Sequence, residues 1–193
     1  MARAQEVLRT VITFALLILL AVPFTLASSK VSSAPLDAYT ERKWEMQDGL
    51  PEQIVQAFAQ TADHYLWIGT TGGLLRFDGA SFVLYDREST PAFRDNNIFC
   101  LTVSRDNSLL YEANLQSPDV TVYSVDDGKR IGSAHVGDGP AAMAFSGAGH
   151  LLFVVDSRSD DVAVVRTGDR SLFTMLPAGR NPSAIVVKAF KVK

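Results

Sequence analysis

The chain has 193 residues, of which 47% are hydrophobic and 20% charged, with a net charge of −3, one cysteine, thirteen glycines and eight prolines. This is a globular composition that excludes a collagen-like repeat or a long disordered tail. It also lacks the clustered Lys and Arg that a nucleic-acid partner requires. The lone Cys100 can form neither an intrachain disulfide nor a zinc site, and reads as a core residue within Ile98-Phe99-Cys100-Leu101.

Taken in chain order, the first feature is an address. Arg3 and Arg9 precede an apolar stretch from Val11 to Val22, and Thr25, Ala27 and Ser28-Ser29-Lys30 follow. A basic start, a short apolar centre and a Thr-x-Ala exit predict a signal-peptide helix over residues 1–27, cleaved after Ala27. The apolar run is interrupted by Pro23 and falls short of the roughly 20 residues of a bilayer span. An uncleaved membrane anchor through residues 11–27 is the alternative, and either places the protein outside the cytoplasm, in the periplasm or beyond. Residues 28–38, rich in Ser, Ala and Pro, read as a flexible leader.

From residue 39 to 193 no stretch sustains a 3.6-residue apolar period. Short β-branched and aromatic runs alternate instead with Gly, Asp, Asn and Ser clusters, the pattern of an antiparallel meander. The predicted strands are Ile54–Thr61, Tyr65–Thr70, Leu74–Phe77, Phe82–Asp86, Ile98–Ser104, Ser108–Ala113, Val120–Val125, Arg130–Val136, Ala141–Ser146, His150–Asp156, Val162–Arg166, Ser171–Leu176 and Ser183–Phe190. With no helix between them, a βαβ sheet is excluded.

These strands repeat. Gly137-Asp138-Gly139-Pro140 returns as Gly179-Arg180-Asn181-Pro182, Leu110-Tyr111 as Leu152-Phe153, and Asp119-Val120-Thr121-Val122 as Asp161-Val162-Ala163-Val164, each 42 residues later. Four strands per 42 residues is the spacing of a propeller blade. The fold class is therefore all-β: a partial β-propeller of three four-stranded blades, at 54–86, 98–136 and 141–177, with one extra strand at 183–190. His64, Asn107 and Gly149 recur between the first and second strands, where a tight hairpin needs positive φ. Trp67 and Phe77 are expected to point inward together from neighbouring strands, and Gly69 to permit close approach between sheets. Complete propellers close with about four to eight blades. Three blades would thus either share a ring with another copy or partner chain, or expose two apolar flanks.

Two resemblances meet near residue 108. Trp44, Asp48-Gly49-Leu50-Pro51, Gln60-Thr61-Ala62-Asp63, Tyr65-Leu66-Trp67-Ile68-Gly69-Thr70, Gly73-Leu74 and Arg76-Phe77-Asp78-Gly79 fall in the order and approximate spacing of one known repeat. Residues 43–108 thereby resemble the two-component regulator propeller family. The resemblance implies an extracytoplasmic input region, partnered with a membrane-bound sensor kinase or cyclase. From Leu109 to about residue 190, Leu110-Tyr111-Glu112-Ala113-Asn114, Val120-Thr121-Val122-Tyr123 and Val136-Gly137-Asp138-Gly139-Pro140, with their copies, resemble the YVTN-type propeller repeat. That group includes lactonase-like and quinoprotein-like propellers.

No catalytic residue, cofactor site or metal site is predicted. His64, His135 and His150 are scattered over three units without metal-ligand spacing. The acidic run Asp156 to Asp161 lacks the glycine and terminal acid of an EF-hand, and reads as the second-to-third strand loop of a blade. The polar corners between blades are the candidate ligand contacts: Asp138 on one, Arg180 and Asn181 on the next. No transmitter segment is recognisable, so the chain is expected to hold at most part of a sensor's input region. Three readings stay open: a non-enzymatic exported binding or sensory module, a fragment or subunit of a lactonase-like or quinoprotein-like enzyme, and a structural surface repeat protein without independent activity. The first is preferred because repeat folds serve mainly as recognition surfaces.

Overall fold

The computed structural model describes residues 42–50, 54–90 and 96–188. The predicted signal segment and leader lie outside the described residues. After a 3-10 turn at Met46–Asp48, twelve strands follow: β1 (Val55–Gln60), β2 (Leu66–Thr70), β3 (Gly73–Phe77), β4 (Phe82–Tyr85), β5 (Cys100–Val103), β6 (Leu109–Ala113), β7 (Asp119–Ser124), β8 (Arg130–His135), β9 (Pro140–Phe145), β10 (Leu151–Asp156), β11 (Asp161–Arg166) and β12 (Leu172–Pro177). They form three antiparallel sheets in the orders β1-β2-β3-β4, β5-β6-β7-β8 and β9-β10-β11-β12. These are the three blades, with boundaries within two residues of those predicted. No helix among the described residues is long and apolar enough to cross a membrane.

Turn chemistry sets the hairpins. His64, Asn107 and Gly149 have φ of 70°, 61° and 79°, the left-handed conformation their positions demand. The next residue type is equally local: Asp63, Asp106, Asp127 and Asp169 each accept, through Oδ1, the N–H two residues on. Such Asx turns close the hairpin without help from the core. In the third blade's β11–β12 turn the left-handed residue is Arg170, at φ 62°, which stands 42 positions after Gly128, at φ 68°.

Because successive strands run antiparallel, the β1–β2 and β3–β4 turns and their copies share one end of the blades. The β2–β3 loops and the corners between blades share the other. The first strands β1, β5 and β9 lie side by side, and β2 and β6 also approach the first strand of the following blade. This is the fan of a propeller.

Apolar side chains fill both seams. Between blades 1 and 2 lie Trp67, Leu74, Ile98, Leu101, Leu110, Tyr123 and Val125. Between blades 2 and 3 lie Tyr111, Ala113, Val120, Val122, Ala134, Val136, Leu152, Val154, Ala163 and Val165, with Cys100 packed beside them. Burial pushes the Cys100 thiol up to about 11, which suits a core residue rather than a nucleophile. The Arg76 guanidinium rests 4.7 Å from the centre of the Tyr65 ring, with Trp67 and Tyr85 near it.

Two expectations are corrected. Phe77 does not join Trp67 in the seam. The register pairs Trp67 with Arg76 and Leu66 with Phe77, and a one-residue step along a strand moves a side chain to the opposite face. Phe77 lies on the outer flank of blade 1, edge-on to Trp44 at 5.0 Å and stacked on Phe82 at 4.5 Å. The extra strand is also not formed over its described part, because residues 183–188 carry no strand pairing. A first blade strand needs a second strand for its ladder, and Val186 is 90% exposed instead. Both terminal flanks carry uncovered apolar groups, Ile54, Phe58 and Leu84 on blade 1 and Phe173 and Leu176 on blade 3.

Gly69 meets the predicted need for close approach. A Cβ there would stand 2.8 Å from Ile98 Cγ2 and 2.9 Å from the Ile98 carbonyl oxygen. The Gly69→Ala variant is expected to lose about 1–3 kcal/mol through overpacking, read as a lower urea midpoint. Trimming Ile98 to Ala in the same chain should restore little, since the backbone carbonyl remains in the way.

Candidate functional site

The end formed by inter-blade corners and β2–β3-type loops gathers the polar groups singled out from the sequence. A buried polar residue stands there at the end of each blade's second strand or one residue beyond it: Thr70, Asn114 and Asp156. Thr70 Oγ1 donates to the Gly73 carbonyl at 2.8 Å and accepts the Gly72 N–H at 3.1 Å. Asn114 Oδ1 accepts the Gln116 N–H at 2.9 Å. Both side chains shape their own loop.

Asp156 does something different, because it reaches across to the corner that precedes its blade. Its Oδ2 accepts the Gly137 N–H at 2.9 Å. Beside it, the Asp138 N–H donates to Ser159 Oγ at 3.0 Å, and the Arg158 N–H donates to the Asp138 carbonyl at 3.0 Å. The Gly139 carbonyl accepts both the N–H and the hydroxyl of Ser157, at 2.9 and 2.8 Å. Any Cβ on Gly137 would collide with the Asp156 and Ser159 side chains. The Gly-Asp-Gly-Pro corner is therefore a clasp, held by the acidic loop Asp156 to Asp161.

The same loop holds the second corner. The Asn181 N–H donates to Asp160 Oδ1 at 2.7 Å, and the Ala178 N–H donates to the Asp160 carbonyl at 2.9 Å. Asn181 takes φ 48°, the left-handed slot that Gly139 fills 42 residues earlier. Asp138 and Asn181 thus flank one loop through their backbones and stay exposed at their side chains. The Asp138 carboxylate stands 3.8 Å from the Arg158 guanidinium, which also donates to the Leu115 carbonyl of blade 2 at 2.8 Å. Arg180 is exposed, with no ion pair or side-chain hydrogen bond among the described residues. No direct contact joins Arg180 to Asp138 among the described residues; what unites them is the loop.

Sequence reading missed Asp156 as the organiser of the corner. Its signal was present: Asn114 and Asp156 occupy the same repeat position, so a charged residue stands where the preceding blade has a neutral amide. Asp156 is fully buried, its Oδ1 has no hydrogen-bond partner, and it pairs in register with Asp161. Burial raises its carboxyl to about 7; the Gly137 N–H opposes this, and the neighbouring Asp161 adds to it. Nothing about this acid points outward to a substrate. Of the histidines, His64 is a turn residue, His135 Nδ1 lies 3.2 Å from Asp119 Oδ1 on the surface, and His150 is exposed at the other end of the blade. Among the described residues no group of three or more His, Cys, Asp or Glu could hold a metal ion.

Because the native state holds a proton on Asp156 that the unfolded chain releases near pH 4, stability should fall as pH rises from about 4 to about 7. The loss is on the order of a few kcal/mol, and Asp156→Asn, which copies the amide of blade 2, should remove most of it. Urea midpoints at pH 5 and pH 8 measure this; the same slope in both proteins would assign the pH dependence to other groups.

Comparison with known proteins bears on the fold. The profile of the "Two component regulator propeller" family matches residues 49–72. No curated protein matches the chain significantly. Among solved structures, hydrazine synthase of Kuenenia stuttgartiensis is 19% identical, with a TM-score of 0.56 over 76% of this chain and 41% of that one. A catalytically inactive virginiamycin B lyase from Staphylococcus aureus, solved with quinupristin, is 15% identical, with a TM-score of 0.61 over 73% and 48%. The WD40 repeats of RRP9 are also 15% identical, with a TM-score of 0.57 over 66% and 39%. The chain spans less than half the length of each of these structures. Such distant likeness establishes architecture alone: the described residues form an all-β set of propeller blades, and the two-component regulator propeller profile matches the stretch of residues 49–72 that includes β1 and β2 of the first blade.

Proposed function

We propose that the protein is an exported, non-enzymatic propeller module that recognises a small molecule or protein at the rim of inter-blade corners, as the input part of a sensing system. The observation that carries this reading is the pair of clasped corners, whose rigid backbones hold the Asp138, Arg180 and Asn181 side chains out into solvent. Exposed charge on a pre-ordered backbone costs little entropy when a ligand arrives. The regulator-type repeat of blade 1 favours a sensory role over the enzymatic one, and residues 109–190 are read as YVTN-type repeats joined to it. A membrane-bound sensor is the partner this role calls for.

A thermal-shift screen of small metabolites and peptides tests the rim. A ligand should raise the melting temperature of the wild type by several degrees and raise that of an Asp138→Ala/Arg180→Ala variant much less. A ligand whose effect ignores both substitutions would move the site elsewhere, and turnover of the bound compound would replace the binding module by an enzyme.

The terminal flanks extend the proposal. With Phe58 61% exposed on blade 1 and Phe173 54% exposed on blade 3, the ring is read as completed by a second chain, in the simplest case a second copy. Light scattering of the exported protein should then give about twice the mass of one chain, since apolar blade faces drive association. A protease-resistant monomer at micromolar concentration would contradict this.

A further inference from the structure

The two seams differ at the turn end, opposite the rim. Three equivalent hydrogen bonds define the β1–β2-type turns: His64 N–H to the Thr61 carbonyl, Asn107 N–H to Ser104 and Gly149 N–H to Ser146, at 2.9, 2.9 and 2.8 Å. Residues 64, 107 and 149 therefore correspond, as do Ala62 and Arg105. Between blades 1 and 2, Asn107 Oδ1 accepts the Ala62 N–H at 3.0 Å and ties the two turns together. One blade further on, the donor would be the Arg105 N–H and the acceptor the side chain at position 149. Gly149 has none, and Ala148 stands where blade 2 has Asp106.

The seam is consequently open. A cavity of about 290 Å³ lies there, with Leu109, Tyr111 and Phe145 on its apolar side and Arg105, Gly149 and His150 at its mouth. Phe145 meets Tyr111 edge-on at 5.2 Å, so the apolar wall is fixed. The Arg105 N–H has no partner among the described residues, and neither does its guanidinium or the His150 imidazole. Asp106, the carboxylate in the lining, is already engaged by the Ser104 hydroxyl at 2.5 Å and the Ser108 N–H at 3.1 Å.

We propose that this cavity binds a small aryl carboxylate, its ring against Phe145 and Tyr111 and its carboxylate on the Arg105 guanidinium and N–H. Two donors on one residue suit a planar anion, and the volume sits at the small end of ligand pockets, near 300 Å³. Gly149 makes the site by omission, leaving an N–H that the ligand satisfies as Asn107 does one blade earlier. This site stands apart from the corner rim, and neither depends on the other.

Titration of phenylacetate into the isotope-labelled full-length chain, followed by amide shifts, tests the assignment, with phenylacetamide as the uncharged control. A ligand of this size should bind with roughly millimolar affinity and shift the Arg105, Gly149 and His150 amides saturably. Phenylacetamide, and phenylacetate with Arg105→Gln, should bind about tenfold more weakly or worse. Gly149→Asn is compatible with the backbone, since Asn107 occupies the same turn position at φ 61° against 79° for Gly149. This substitution should close the seam, protect the Arg105 amide from exchange and abolish the shifts. No saturable shift up to about 20 mM, equal binding of the amide, or undiminished binding by folded Gly149→Asn would each overturn the proposal.

Discussion

A sheet of four strands, each four to six residues long, has two faces and cannot cover either by itself. Everything in this protein follows from meeting that need by laying one sheet against the next. Side chains such as Trp67, Leu110, Tyr111 and Val154 are buried because a neighbouring blade arrives at van der Waals distance. Gly69 marks how close that approach is, since the backbone of blade 2 occupies the space a methyl group would take. The hairpins supply only local geometry; cohesion comes from the seams, as in other repeat architectures.

Polar groups serve the same end at the margins of the seams. At one end of the blades the Gly137–Gly139 corner is tied by the buried carboxyl of Asp156 and its hydroxyl neighbours Ser157 and Ser159, and the next corner by Asp160. At the other, Asn107 ties blade 1 to blade 2. These bonds carry little of the burial energy but fix the angle at which the faces meet, because an unpaired buried donor or acceptor is costly. Using a carboxyl where the preceding blade has an amide makes one tie depend on a proton.

Much of this was legible in the sequence because its causes are local or periodic. The 42-residue period fixed blade number and strand boundaries, and turn residues that tolerate positive φ located the hairpins. What the sequence left hidden were choices made across space. Phe77 looked like a partner of Trp67, yet the pairing register, set by the length of the β2–β3 turn, sends it to the outer flank. Ser183 to Lys188 has the composition of a strand but makes no strand pairing among the described residues. Asp138, Arg180 and Asn181 were visible as corner residues, but the acids that hold the corners, Asp156 on the first and Asp160 on the second, reach them only across space.

The uneven covering of the blades also sets a gradient of motion. Among the described residues, blade 2 is packed between two seams, whereas blades 1 and 3 each border one. In a chain where every unit contacts only its neighbours, the outer units open first and do so without melting the centre. Blade 3 is then the element whose breathing widens or narrows the gap beside Gly149, while blade 2 provides the steady wall. The protein is in this sense hinged along its seams, and whatever covers a terminal flank also governs how often the adjoining seam opens.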